Sequence, residues 1–305
     1  MRLVRYGERG QERPAVLDSQ GLLRDLSGVV RDIDGAALMP DSLDRLRALD
    51  LGSLPEVPGP VRLGACVGDV RNIVCIGLNY SDHAAETNTP IPAQPVVFHK
   101  HTGALSGPND PVILPPGAEK LDWEVELAFV IGRPCWHVSE AHALSHVAGY
   151  CVLNDVSERA YQIEMDGQWT KGKSYYSFAP CGPWLVTADE VPDPQALDLW
   201  LSVNGQRRQT GNTRTMIFGI GTIVSYLSRF MALSPGDIVT TGTPPGVGLG
   251  HKPPLFLKPG DVMRLGVQGL GEQEQRVVDY TDEVGRAWAH NVALQTCLPH
   301  RENPT

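Results

Sequence analysis

Short apolar runs cut apart by glycine and proline recur from residue 61 onward, and this spacing limits the possible folds more than any other feature of the chain. Ile73-Val74-Cys75-Ile76, Pro95-Val96-Val97-Phe98, residues 124–131 and residues 148–153 are apolar stretches of strand length. Trp184-Leu185-Val186 and residues 199–204, 237–240 and 261–265 continue the series. With 32 glycines and 25 prolines available as punctuation, such runs predict strands joined by turns. Helical patterning is confined to residues 42–51, 139–146, 158–165 and 222–233, the last with Ile223, Tyr226, Leu227 and Phe230 at helical spacing. The expected class is α+β and β-rich.

The expected organisation has three parts. Residues 1–60 form a small α+β unit that ends in the hinge Pro55-Glu56-Val57-Pro58-Gly59-Pro60. Residues 61–280 form the main domain, and residues 281–305 form a tail without periodicity that is expected to be partly disordered. At 305 residues the chain can bury a substantial core.

Composition removes several function classes. The 26 Lys and Arg against 35 Asp and Glu give a net charge of −9, so the basic footprint of a nucleic-acid binder is missing. No stretch approaches the roughly 20 apolar residues of a spanning helix. Met1-Arg2-Leu3-Val4-Arg5-Tyr6 lacks the apolar core of a signal peptide, so a cytoplasmic protein is expected. The six cysteines include no C-x-x-C pair, which argues against a zinc ribbon and a disulfide framework and suits small buried hydrophobes.

Inside the apolar run, Asp122-Trp123-Glu124-Val125-Glu126-Leu127 sets two carboxylates one residue apart. On a strand Glu124 and Glu126 share a face, roughly 7 Å apart along it. On a buried face they would repel and lose hydration, and a bound cation would relieve both; on an exposed edge they would simply be solvated. A third acid, Asp155, follows the next predicted strand. Three carboxylates without neighbouring Cys or His suit a hard ion such as Mg²⁺ or Mn²⁺ and leave positions for a chelating substrate. Upstream, His83 and Glu86 stand at i and i+3, where one helical turn would let the carboxylate orient the imidazole as a general base.

Four motifs occur in order: Gly77-Leu78-Asn79-Tyr80 with His83 and Glu86; Asp122, Glu124, Glu126 and Leu127; Asn154-Asp155-Val156-Ser157 with Arg159; and residues 241–248, Thr-Gly-Thr-Pro-Pro-Gly-Val-Gly. Together, from about Asn72 to Val278, they resemble the fumarylacetoacetate hydrolase family, and the N-terminal unit is similar to the leader domain of many bacterial members. The resemblance implies a mixed β-sandwich or roll and a homodimer. It implies metal ligation by Glu124, Glu126 and Asp155, and a His83–Glu86 pair that activates water on a lid. It gives Lys173 an electrostatic role, brings Arg159 and Gln162 to the substrate and sets Thr243 on the substrate carboxylate. Tyr80 and Lys100 are further candidates for substrate contact, with a structural or surface role for Lys100 equally open. Ala160 follows Arg159 where many members carry an acid, so the resemblance does not fix the arginine's orientation.

The implied reaction is metal-dependent hydrolysis of a 2,4-dioxo acid to pyruvate and a carboxylic acid. A 2,4-diketo-3-deoxy sugar acid related to fuconate or rhamnonate is one such substrate. Decarboxylase, isomerase and ureidoglycolate lyase chemistry of the same superfamily, and a metal-binding protein without activity, are the alternatives. Gly246-Val247-Gly248-Leu249-Gly250 is followed by His251-Lys252-Pro253-Pro254 rather than a helix, so a dinucleotide loop is not expected. His142 and His146 lack a third ligand and read as a solvated face. Lys173 could also be a surface lysine beside Lys171, Ser157 and Glu158 read as the start of a helix, and Asp122 reads as a turn residue or an acid behind the ligands.

Overall fold

The computed structural model describes residues 1–82, 90–281 and 285–286. In chain order these contain β1 (Arg2–Tyr6), β2 (Arg13–Leu17), β3 (Leu23–Asp25), β4 (Ile73–Gly77), β5 (Val96–Lys100), β6 (Leu105–Ser106), β7 (Val112–Leu114), β8 (Leu121–Asp122) and β9 (Val125–Ile131). There follow β10 (Val147–Asn154), β11 (Ser157–Glu158), β12 (Ala179–Thr187), β13 (Asp198–Val203), β14 (Gln206–Asn212), β15 (Ile238–Thr240), β16 (Val262–Val267) and β17 (Gly271–Asp279). The fold is β-rich α+β with mixed sheets. The large sheet runs β3-β2-β1-β12-β10-β9-β15-β4-β5, with β6 parallel to β12; a second sheet runs β14-β13-β16-β17-β7, and β8 pairs with β11.

Strands β9 and β10 are buried along their whole length because the second sheet packs over them, so both faces need apolar or paired side chains. One apolar core joins Leu127, Phe129 and Ile131 of β9 to Leu199, Leu201, Met263 and Leu265 of the second sheet. The N-terminal strands are continuous with the large sheet: β1 pairs with β12 through Arg2↔Val186 and Leu3↔Leu185. The hydrogen-bonded network therefore crosses the proline-rich segment at residues 55–60.

Two strands, β14 and β17, lie where the sequence pattern shows no apolar alternation. In β17 the inward residues include Gln273 and Gln275, both buried, while Glu272, Glu274 and Arg276 face out. Gln273 Nε2 donates to Val152 O and Gly182 O, each at 2.9 Å, and Gln275 Nε2 donates to Gln273 Oε1 at 3.0 Å. Satisfied amides thus do the work that Val or Ile does elsewhere.

The helix expected over residues 222–233 spans Ile220–Leu227. Phe230 lies beyond its end and is 66% exposed, so Phe230 is not part of the buried stripe of Ile223 and Leu227. No helix among the described residues is long and apolar enough to cross a membrane.

Candidate active site

The C-terminal ends of β4, β10 and β15 meet the N-terminal end of β9, because β4 and β15 are parallel and β9 runs against both β10 and β15. Glu124 stands one residue before β9 and Glu126 is its second residue, so both turn to the same side. Asp155 follows β10 directly, and its N–H donates to Glu124 O at 2.9 Å. Carboxylate oxygens of Glu124, Glu126 and Asp155 all lie within 4.8 Å of one another. The three residues are 7%, 2% and 0% exposed, which is where like charges are least tolerable.

Three cations are packed among them. Lys173 Nζ donates to Glu124 Oε2 and to Asp155 Oδ2, each at 2.7 Å. Arg159 pairs through NH2 with Glu124 Oε1 at 2.7 Å and through Nε with Asp122 Oδ2 at 2.8 Å, and its NH1 donates to Gln162 Oε1 at 2.9 Å. Lys100 Nζ bonds Asp155 Oδ1 and Val156 O. Glu126 has no ion pair among the described residues; its Oε2 accepts the Gly242 N–H at 2.9 Å.

The pKa directions follow from this placement. Burial would raise Glu124, but Lys173 and Arg159 outweigh it and hold the carboxyl below its ordinary value. Burial, then the charges of Asp155 and Glu124, push Glu126 well above the ordinary carboxylate range. Burial lowers the Lys173 pKa, but Asp155 and Glu124 more than reverse it. For Lys100 burial prevails over Asp155 and the pKa falls.

Asp122 proves to be the hub of the arginine's orientation. Its Oδ1 accepts from Trp123 N at 2.8 Å and Gly248 N at 2.6 Å, and its Oδ2 accepts from Leu249 N at 3.0 Å as well as from Arg159. Asp122 reaches Arg159 across the β8–β11 pair, so the arginine is oriented with alanine at position 160. Glu158 accepts the N–H groups of Lys120 and Tyr161, each at 2.8 Å, and so caps the wide helical turn Ala160–Glu164 that carries Gln162.

A cavity of about 260 Å³ opens above the carboxylates, and Glu124, Glu126, Arg159, Gln162, Lys173 and Thr243 line it. Thr243 donates its hydroxyl proton to Val125 O at 2.9 Å and accepts from Gln209 Nε2 at 2.8 Å. Gln209 also accepts the Val125 N–H at 3.0 Å. It fixes the first residue of β9 and the threonine together, a role with no signal in the polar sequence of β14.

Two candidates for substrate contact take other places. Lys100 is buried and does not line the cavity; its ammonium buttresses Asp155 from behind. Tyr80 is fully buried, pairs by backbone with Met216 and likewise lies off the lining. His83 and Glu86 lie outside the described residues.

The donor set fits a hard divalent ion. Its oxygens converge, and among the described residues Glu126 has no ion pair while four carboxylates, counting Asp122, face three cations. Burial and the neighbouring carboxylates disfavour the ionised form of Glu126, and a bound cation would favour it.

Gly172 holds two parts of the site at their spacing. A Cβ there would meet Gln162 N and Glu158 O, each at 2.4 Å, so the turn carrying Lys173 could not approach the turn carrying Gln162. Gly172→Ala is expected to lower stability by about 1–3 kcal/mol and to reduce activity as Lys173 shifts. Thermal melting checks this, and an unchanged melting temperature would show that the backbone relaxes there without strain.

Comparison with known proteins agrees with this architecture. The family profile described as "Fumarylacetoacetate (FAA) hydrolase C-terminal" matches residues 72–278. A Burkholderia multivorans protein named "Putative hydrolase" is 59% identical over 276 residues, covering 90% of this chain and 98% of its own length. The structure of a fumarylacetoacetate hydrolase from Exiguobacterium antarcticum superposes with a TM-score of 0.81 at 35% identity, covering 92% of this chain and 100% of that one. That of a maleylpyruvate hydrolase from Sphingobium sp. SYK-6, in complex with manganese(II) and pyruvate, gives a TM-score of 0.77 at 31% identity, with 92% and 100% coverage. By its sequence match, its fold and its relatives, the chain belongs to the fumarylacetoacetate hydrolase family.

Proposed function

We propose that the protein is a divalent-metal-dependent hydrolase that splits the C3–C4 bond of a 2,4-dioxo acid into pyruvate and a carboxylic acid. Dioxo acids derived from deoxy sugar acids fall in this class. The observation that carries the reading is the convergence of Glu124, Glu126 and Asp155 at the floor of a cavity, with Lys173 bonded to two of them. The manganese and pyruvate of the similar maleylpyruvate hydrolase structure support it.

A bound Mg²⁺ or Mn²⁺ would supply Lewis-acid stabilisation of the negative charge that develops on the 2-oxo group. The chain's own residues do the rest. His83, which the family resemblance pairs with Glu86, is the residue assigned to take a proton from the water that attacks the C4 carbonyl. The resulting tetrahedral adduct collapses, the electron pair of the C3–C4 bond passes into the three-carbon fragment, and protonation at C3 yields pyruvate. Lys173, held by Glu124 and Asp155, offsets the developing charge. Arg159, fixed by Asp122 and Gln162, keeps Glu124 in place.

The test is pyruvate release from a panel of 2,4-dioxo acids by the purified protein with Mg²⁺ or Mn²⁺, and its loss with a chelator. Carbon dioxide from oxaloacetate without any pyruvate from the panel would establish a decarboxylase instead, and isomerised substrate without cleavage would establish an isomerase. His83→Ala is expected to lower turnover by about 10²–10⁴-fold while inhibition by oxalate or pyruvate changes little. Equal losses in turnover and inhibition would mean that His83 only binds.

A further inference from the structure

The 2,4-dioxo acid reading defines the end of the substrate that meets the carboxylates, and the cavity wall constrains the other end. Above the carboxylates the wall is apolar, built from Phe98, Ile163, Trp169, Val247 and Leu249. Ile163 and Leu249 form its outer part, at 50% and 40% exposed. Phe98 and Trp169 meet edge to face, with centroids 5.2 Å apart.

The cations that line the cavity, among the described residues, are Arg159 and Lys173, and both are spent. Arg159 bonds Asp122, Glu124 and Gln162; Lys173 bonds Glu124 and Asp155. The charge count points the same way. Among the described residues and with every group ionised, as a bound divalent ion would favour, Asp122, Glu124, Glu126 and Asp155 exceed Lys100, Arg159 and Lys173 by one negative charge. A divalent cation and the carboxylate of one 2-oxo acid bring the cluster to neutrality. A second carboxylate on the substrate would enter an apolar pocket where, among the described residues, no lining cation is left to meet it, and an unpaired charge there is strongly disfavoured.

Resting on the 2,4-dioxo acid reading, we propose that this site takes substrates whose arm beyond C4 is uncharged and mainly apolar, and discriminates against dicarboxylates. Discrimination comes from the wall and the spent cations rather than from an attractive contact, so it is built against the wrong substrate.

Two five-carbon 2-oxo acids isolate the effect, because 2-oxopentanoate ends in a methyl group where 2-oxoglutarate ends in a carboxylate. Calorimetric titration of the Mn²⁺-loaded protein is expected to give 2-oxopentanoate about tenfold or more the affinity of 2-oxoglutarate. L249R puts a free cation on the outer wall and is expected to narrow or invert that ratio. Equal or tighter binding of 2-oxoglutarate by the wild-type protein would overturn this proposal and leave the 2-oxo acid site standing. An unchanged ratio in L249R would also overturn it, since the arm would then lie away from that wall. Binding of neither compound would overturn the reading of the site itself, and this proposal with it.

Discussion

Glu126→Ala is expected to abolish metal-dependent turnover and to weaken Mn²⁺ binding by more than about 100-fold, since groups that merely orient ligands are already worth 10–100-fold. The reason is the distribution of partners. Glu124 and Asp155 are each held by cations, whereas Glu126 has no ion pair among the described residues and accepts the Gly242 N–H. A bound ion would favour its ionised form, so its removal takes away both a donor and the charge that the ion would meet. Glu126→Gln is the companion variant, because an amide oxygen still accepts from Gly242 and preserves the local fold. Calorimetric titration with Mn²⁺ and an assay of pyruvate release check both variants. Retained turnover with unchanged metal affinity would refute the site.

Lys173→Met is expected to cost stability as well as activity. The ammonium is 2% exposed and shared between Glu124 and Asp155, so methionine of similar length fills the space but leaves two buried carboxylates short of a cation. Breaking a buried pair in this way costs about 3–5 kcal/mol, or roughly 10 °C in melting temperature. Turnover should fall by about 10²–10³-fold. Mn²⁺ should restore more stability to this variant than to the wild type, because a divalent ion supplies the missing positive charge. An unchanged melting temperature and unchanged turnover would mean that Lys173 does not anchor the cluster.

The two predictions differ in what the sequence could reveal about their targets. Glu124 and Glu126 declare themselves, since two carboxylates on one strand inside an apolar run must either be solvated or find a partner. Lys173 does not, because beside Lys171 it reads equally well as a surface residue. Its burial arises only when its helical turn packs against the turn carrying Gln162, a contact Gly172 permits. Lys100 gave two readings in sequence, and the structure places it behind Asp155, away from the cavity lining.

Asp122 and Gln209 show the same limit from the polar side. Asp122 was recognisable as an acid near the ligands, but its partners Arg159, Gly248 and Leu249 come from segments far apart in the chain. Gln209 lies on a strand whose sequence shows no alternation, and only the return of residues 241–244 past the start of β9 makes it a bridge between Val125 and Thr243. Strands β14 and β17 escaped the pattern for a related reason: their inward positions include glutamines whose hydrogen bonds replace apolar contact.

The strand-rich class, the positions of the central strands and the acidic set are legible in the amino-acid pattern, because burial on both faces of a strand demands continuous apolar runs and makes every exception conspicuous. Only folding brings particular cations to particular acids, leaves Glu126 without an ion pair among the described residues, and makes the outer cavity wall apolar while both described lining cations are already paired. Those outcomes depend on distances between residues distant in the chain, and the strength of a charge pair is set by such distances and by the exclusion of water, neither of which a linear pattern carries.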